Sequence, residues 1–116
     1  MLHADFSLVT AEKPAIAGET LQLYLTGLGS VTPPVADGAA APSSPLSQVD
    51  DNVFVDILDQ NFLDSTATVS FAGLAPGYAG LYQVNFTVPT AAASGLAWIN
   101  FSTNEAYTSE AKLYIQ

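Results

Sequence analysis

Residues 71–89 read F-A-G-L-A-P-G-Y-A-G-L-Y-Q-V-N-F-T-V-P, and this stretch decides the fold. Its second half sets Tyr82, Val84, Phe86 and Val88 at alternate positions, with Gln83, Asn85 and Thr87 between them. A period of two sends the first set to one face of a strand and the second to the other. A half-buried strand is therefore predicted over 79–88, and Pro89 ends it. The first half is turn chemistry: Gly73, Gly77 and Gly80 permit positive backbone dihedrals in tight turns, and Pro76 fixes φ at the entry to one of them.

The same alternation recurs on either side. Downstream it predicts strands over 96–103, with Ala97, Ile99 and Phe101 inward, and over 110–116, with Ala111, Leu113 and Ile115 inward. Upstream it predicts strands over 66–72, over 53–58, over 21–26 and over 4–10. Leu21, Leu23 and Leu25 alternate cleanly with Gln22, Tyr24 and Thr26, and Phe6 shares a face with Leu8. In 53–58 the buried face is either Val53, Val55 and Ile57 or Phe54 and Leu58. No window carries apolar residues at helical spacing between caps. Between 27 and 52 the pattern stops, and Pro33, Pro34, Pro42 and Pro45 exclude a helix or a central strand. This reads as a long loop, with Val35 and Leu46 expected to pin it over one end of the core.

Seven short strands separated by turn signals predict an all-β, immunoglobulin-like (Ig-like) two-sheet Greek-key sandwich of about seven strands, with a small barrel as the second architecture. The 116 residues suit a single domain over 1–116, since two cores of half that size would be too small to stand. Apolar residues make up 49% of the chain and charged ones 11%, enough to bury a core and too little charge for a disordered chain. With no cysteine, disulfides and thiolate metal sites are excluded.

Eleven Asp and Glu stand against only Lys13 and Lys112, a formal net charge of -9. That balance argues against nucleic acid and anionic membranes, both of which are held mainly through Lys and Arg. No apolar run of membrane-spanning length occurs, so no membrane insertion is expected. Met1 and Leu2 directly precede a predicted strand, which suggests a domain excised from a larger extracellular protein.

Residues 71–85, F-A-G-L-A-P-G-Y-A-G-L-Y-Q-V-N, together with H-A-D-F-S-L-V-T (3–10), P-A-I-A-G-E (14–19) and Y-L-T-G-L-G-S-V-T-P-P-V-A-D-G-A-A-A-P (24–42), resemble an uncharacterised C-terminal domain family of acidobacterial secreted proteins, of the Solibacter type. The terminal A-Y-T-S-E-A-K-L-Y-I-Q (106–116) fits the same pattern. G-E-T-L-Q-L-Y-L-T-G-L-G (18–29) is similar, more distantly, to the IPT/TIG branch of Ig-like domains. The resemblance implies a bacterial Ig-like module, extracellular or at the cell surface, with no established activity and no catalytic residues.

Read by chemistry, the candidate sites are few. His3 is the only histidine and falls near an end predicted to fray, and neither Asp50 with Asp51 nor Asp56 with Asp59 comes with an oxyanion pocket. The chain is therefore expected not to be an enzyme. Calcium, the one cofactor considered, needs six to eight oxygens, for which Asp50, Asp51, Asn52, Asp59, Asn61 and Asp64 are the candidates.

A glycan would use aromatic faces that alternation turns outward, namely Trp98, Tyr114 and Tyr24. Tyr82 has the spacing of a tyrosine corner, whose phenol bonds to backbone a few residues upstream, with Val84 where antibody domains carry a cysteine. Residues 3–10 offer a strand for self-association. The resulting expectation is a non-catalytic spacer or presentation module whose partners are neighbouring domains, with glycan or calcium binding and self-assembly as the alternatives.

Overall fold

The computed structural model describes residues 1–116 except 4, 27, 37, 43–45, 51, 62–63, 91 and 104–106, and gives the backbone alone for 107–110. The described residues are all-β and contain no helix. Alternation forms the strands where the sequence predicts it: β1 (Thr20–Leu25), β4 (Val53–Leu58), β5 (Asp64–Leu74), β6 (Tyr82–Thr87), β7 (Gly95–Thr103) and β8 (Tyr107–Ile115). Two short pieces, β2 (Val31–Thr32) and β3 (Gln48–Val49), pair with each other inside the segment read as loop. β3 also adds to the edge of β5 at Gly73.

The main strands follow the antiparallel order β1-β6-β5-β4-β7-β8. This one sheet is curled into an open half-barrel. Its bend lies in β5, whose first half pairs with β4 and whose second half pairs with β6. A register shift between Val69 and Phe71 marks the bend, because a bulge lets a strand turn and twist without ending.

The inward face is what the period-two reading predicts. Leu21, Val55, Ile57, Val84, Phe86, Ala97, Ile99, Phe101, Leu113 and Ile115 are all buried. In β4 the inward set is Val55 and Ile57, while Phe54 lies exposed. The Phe86 and Phe101 rings meet edge to face, 6.3 Å apart at 71°, across the curl from β6 to β7, which are not neighbours in the sheet. Such a contact adds about 1 kcal/mol beyond the area it buries.

Two expectations are corrected here. Of the strand expected over 4–10, residues 5–10 do not make one, and Ala4 lies outside the described residues. His3 and Ser7 flank a three-residue connection, closed by His3 N–H to the Ser7 carbonyl at 2.8 Å and Phe6 N–H to the His3 carbonyl at 2.9 Å. Leu2 then bridges Leu8, and both Phe6 and Leu8 face solvent. Asp5 drives the turn, since its carboxylate accepts the Ser7 N–H at 2.9 Å and so competes with extended pairing. The long loop is not pinned by Leu46, which is 40% exposed. Leu28, Ala41 and Ser47 are the buried anchors, and Val35 is half-buried. Among the described residues no helix is long and apolar enough to cross a membrane.

Candidate functional site

β1 and β8 are the two ends of the strand order, and the N-terminal segment lies against both. Leu2 exchanges backbone hydrogen bonds with Gln22 of β1, 2.8 Å each way. Ala15 bridges Ile115 of β8 in parallel, its N–H donating to the Tyr114 carbonyl and its carbonyl accepting from Gln116. Between these anchors the chain folds over a polar cluster built on His3, which is buried and hydrogen-bonded, near the end that the sequence reading expects to fray.

The His3 Nδ1 is paired with the Glu19 carboxylate, and Nε2 is 3.1 Å from the Lys13 carbonyl oxygen. Both partners are oxygens that accept, so the arrangement favours the imidazolium, the form in which both ring nitrogens donate. The hydrogen bond to Glu19 is the main reason the His3 pKa lies above its ordinary value; burial opposes it, and the Lys13 carbonyl reinforces it. Glu19 is fixed in turn by the Ile16 N–H, 3.0 Å from its other oxygen. Asp5, Lys13 and Glu12 edge the shallow, open groove beside the ring. An imidazolium held by two acceptors has no lone pair with which to take a proton from a substrate.

A second groove, of about 530 Å³, runs over the outer face of β1 and β6 and the turn that joins β5 to β6. Tyr24 lines it, as the outward alternation of β1 requires, and Phe6 and Tyr78 join Tyr24 from two other segments. Gln22 and Gln83 supply amides, placed by the cross-strand pairs Gln22 with Asn85 and Tyr24 with Gln83. Phe6 and Tyr78 are 67% and 60% exposed. The sequence reading puts Phe6 on a strand face with Leu8, and Tyr78 between the turn over 73–77 and the strand over 79–88, so alternation alone does not bring them to Tyr24.

Trp98 and Tyr114 do not join this set. They lie on β7 and β8, whose outward residues face away from the curl on its other half. The Lys112 ammonium stands 5.3 Å from the centre of the Trp98 ring, a cation–π contact that occupies that face. Tyr114 is half-buried opposite Leu96.

The six residues considered for calcium divide between the two ends of β4. Asp50 precedes that strand and accepts from the Thr32 hydroxyl at 2.5 Å, whereas Asp59, Asn61 and Asp64 follow it. Six extended residues separate the groups by roughly 20 Å, so they cannot share an ion. Asp59 is buried and holds its loop together by accepting the N–H groups of Asn61, at 2.9 Å, and Ala93, at 3.0 Å. Asn61 and Asp64 are exposed, Asn52 is exposed beside Val53, and Asp51 lies outside the described residues. Among the described residues no three carboxylate or histidine groups come together.

Gly77 and Gly80 have φ of 85° and 69° in the turn before β6. Gly73 does not turn; it sits within β5, and a Cβ there would lie 2.3 Å from the Ser47 carbonyl oxygen, so its role is close approach of β3. Pro76 bridges Ala41 of the long loop. The Tyr82 phenol donates to the Gly29 carbonyl at 2.5 Å, far back in the chain and not a few residues upstream. Tyr82 belongs to β6, which lies between β1 and β5. No protein-family model, curated protein or solved structure matches the chain.

Proposed function

We propose that the chain is a non-catalytic Ig-like module, extracellular or at the cell surface, that holds or presents neighbouring domains. The observation that carries this is the covering of both ends of the sheet by the chain's own first 16 residues, at Leu2 on β1 and Ala15 on β8. An uncovered edge invites pairing with another chain, and a module that must stand beside others without merging with them has to blunt its edges. The same observation favours a discrete module over a subunit that assembles by donating residues 3–10.

The Ig-like part of the reading is supported by the strand order. β1, β6 and the second half of β5 would form one layer and β4, β7 and β8 the other, with Phe86 and Phe101 as a contact between layers. The engagement of both His3 ring nitrogens, by Glu19 and by the Lys13 carbonyl, supports the absence of catalysis. Placement outside the cell follows from the resemblance to acidobacterial secreted proteins.

Light scattering over a wide concentration range tests the proposal. The full chain should remain monomeric, and a chain lacking residues 1–14 should associate through the β1 edge that loss of Leu2 uncovers. Concentration-dependent, reversible assembly of the full chain would replace the spacer with a self-assembling subunit.

A further inference from the structure

We propose that the groove over β1, β6 and the β5–β6 turn binds a neutral carbohydrate chain. The chemistry of the lining is the first reason. Phe6, Tyr24 and Tyr78 present aromatic surface, Gln22 and Gln83 present amides, and no charged residue takes part in a chain whose net charge is -9. Sugars offer apolar ring faces edged with hydroxyls, which is the complement of rings bordered by amides. An ionic ligand would find no counter-charge there.

The hydrogen-bond inventory narrows the class further. The Tyr24 hydroxyl donates to the Gln22 carbonyl oxygen at 3.3 Å, and the Gln83 amide nitrogen donates to the Asn85 side-chain oxygen at 2.9 Å. What these bonds leave over, among the described residues, includes both N–H donors of Gln22, one N–H and the oxygen of Gln83, and the acceptor side of the Tyr24 hydroxyl. A hydroxyl satisfies each of these groups because it both donates and accepts. A polyproline peptide, the other ligand suited to an aromatic groove, brings no backbone N–H to the Gln83 oxygen, whereas a sugar brings hydroxyl donors and acceptors together.

Phe6 supplies the independent reason. It is the described residue other than glycine with a positive φ, 68°, and it closes the three-residue connection at the position where hairpins of this length place glycine. A phenylalanine there strains the backbone, and its exposed ring gains little from packing in return. The two costs converge on a side chain at the rim of the groove, and a sugar stacked on the ring would offset both.

Native affinity electrophoresis of the full chain in gels containing xylan, galactomannan, mixed-linkage β-glucan or arabinan tests the assignment. At least one of these neutral polymers should retard the chain. Tyr78→Ala should weaken retardation about tenfold, the ratio to which about 1.4 kcal/mol of lost stacking corresponds, while Trp98→Ala should leave it unchanged. Phe6→Gly should raise the melting temperature and weaken retardation together, opposite signs that a purely structural role for the ring would not produce.

Retardation by none of the four polymers would overturn the proposal, as would retardation abolished by Trp98→Ala. Binding of a decaproline peptide with no response to the polysaccharides would give the groove to a peptide instead. The monomeric module proposed above stands or falls separately, since its test reads association and not retardation.

Discussion

The first 16 residues and the segment from 26 to 52 both lie outside the six long strands, yet different chemistry ties each to the sheet. The N-terminal segment is held by charge as well as backbone: His3 on Glu19, and Lys13 on Asp5, reinforce the Leu2 and Ala15 bridges. The long segment meets the sheet through neutral groups alone among the bonds described, the Thr32 bond to the Asp50 carboxylate lying within the segment itself. The Ala41 N–H and carbonyl meet Tyr78 and Gly77, the Ser47 carbonyl accepts from Leu74, the Ser47 hydroxyl donates to the Pro33 carbonyl at 2.7 Å, and Tyr82 reaches Gly29. The difference teaches that the two coverings answer to different conditions: pH moves the first, and only loss of close packing moves the second.

The largest effect should come from breaking the neutral attachment at its tightest point. Gly73→Ala puts a methyl group 2.3 Å from the Ser47 carbonyl oxygen, and that neighbour is backbone that cannot rotate away. β3 and the long segment would have to lift from β5, at a cost of about 3 kcal/mol. Urea denaturation should show this loss equally at pH 5.5 and 8.5. A loss below 1 kcal/mol would mean that β3 shifts freely on the β5 edge.

His3→Gln breaks the charged attachment instead. At pH 5.5 it should cost about 2 kcal/mol, the worth of hydrogen bonds to a charged group. The sign with pH follows from the raised folded-state pKa. The imidazolium contributes fully below the ordinary histidine value of about 6.5 and is lost as pH rises through the folded value, so the gap between wild type and variant should close on the alkaline side. A gap that stays constant from pH 5.5 to 9 would show that the ring acts through packing and not through its charge.

This contrast also marks how far the sequence could be read. Strands whose side chains alternate against a core announce themselves, so the inward faces of β6, β7 and β8 were legible residue by residue. Phe6 and Leu8 alternate too, but the Asp5 carboxylate captures the Ser7 amide and turns the chain, a local competition that periodicity does not register. His3 looked disposable because its partner Glu19 lies 16 residues away. The aromatic groove was one-third legible: Tyr24 follows from the β1 pattern, while Phe6 and Tyr78 arrive through turn geometry. Trp98 was correctly placed on an outward face, but its pairing with Lys112 depends on cross-strand register, which the sequence does not encode locally.

A smaller effect sharpens the neutral side. Tyr82→Phe removes one hydrogen bond, to Gly29, and keeps the ring packed against the core. The expected loss is about 1 kcal/mol, unchanged between pH 5.5 and 8.5, read from the urea midpoint. Hydrogen exchange should localise the loosening to the residues around Gly29. Loosening spread evenly over β6 would mean that the phenol supports the strand and not the loop.

The smallest effect belongs to the Lys13 side chain, and it separates two roles carried by one residue. The Lys13 ammonium lies 3.3 Å from Asp5, but both side chains are more than half exposed, so solvent screens the pair. Asp5 does not depend on it: the Ser7 hydroxyl, and then the Ser7 amide, do most to hold its carboxyl below the usual carboxylate range. The backbone carbonyl of Lys13, by contrast, is an acceptor for the His3 ring. Lys13→Met deletes the charge and spares the carbonyl. It should therefore leave the urea midpoint unresolved from wild type and, above all, preserve the closing of the His3→Gln gap with rising pH. A Lys13→Met background in which that gap no longer depends on pH would place the ammonium, and not the carbonyl, at the centre of the charged attachment.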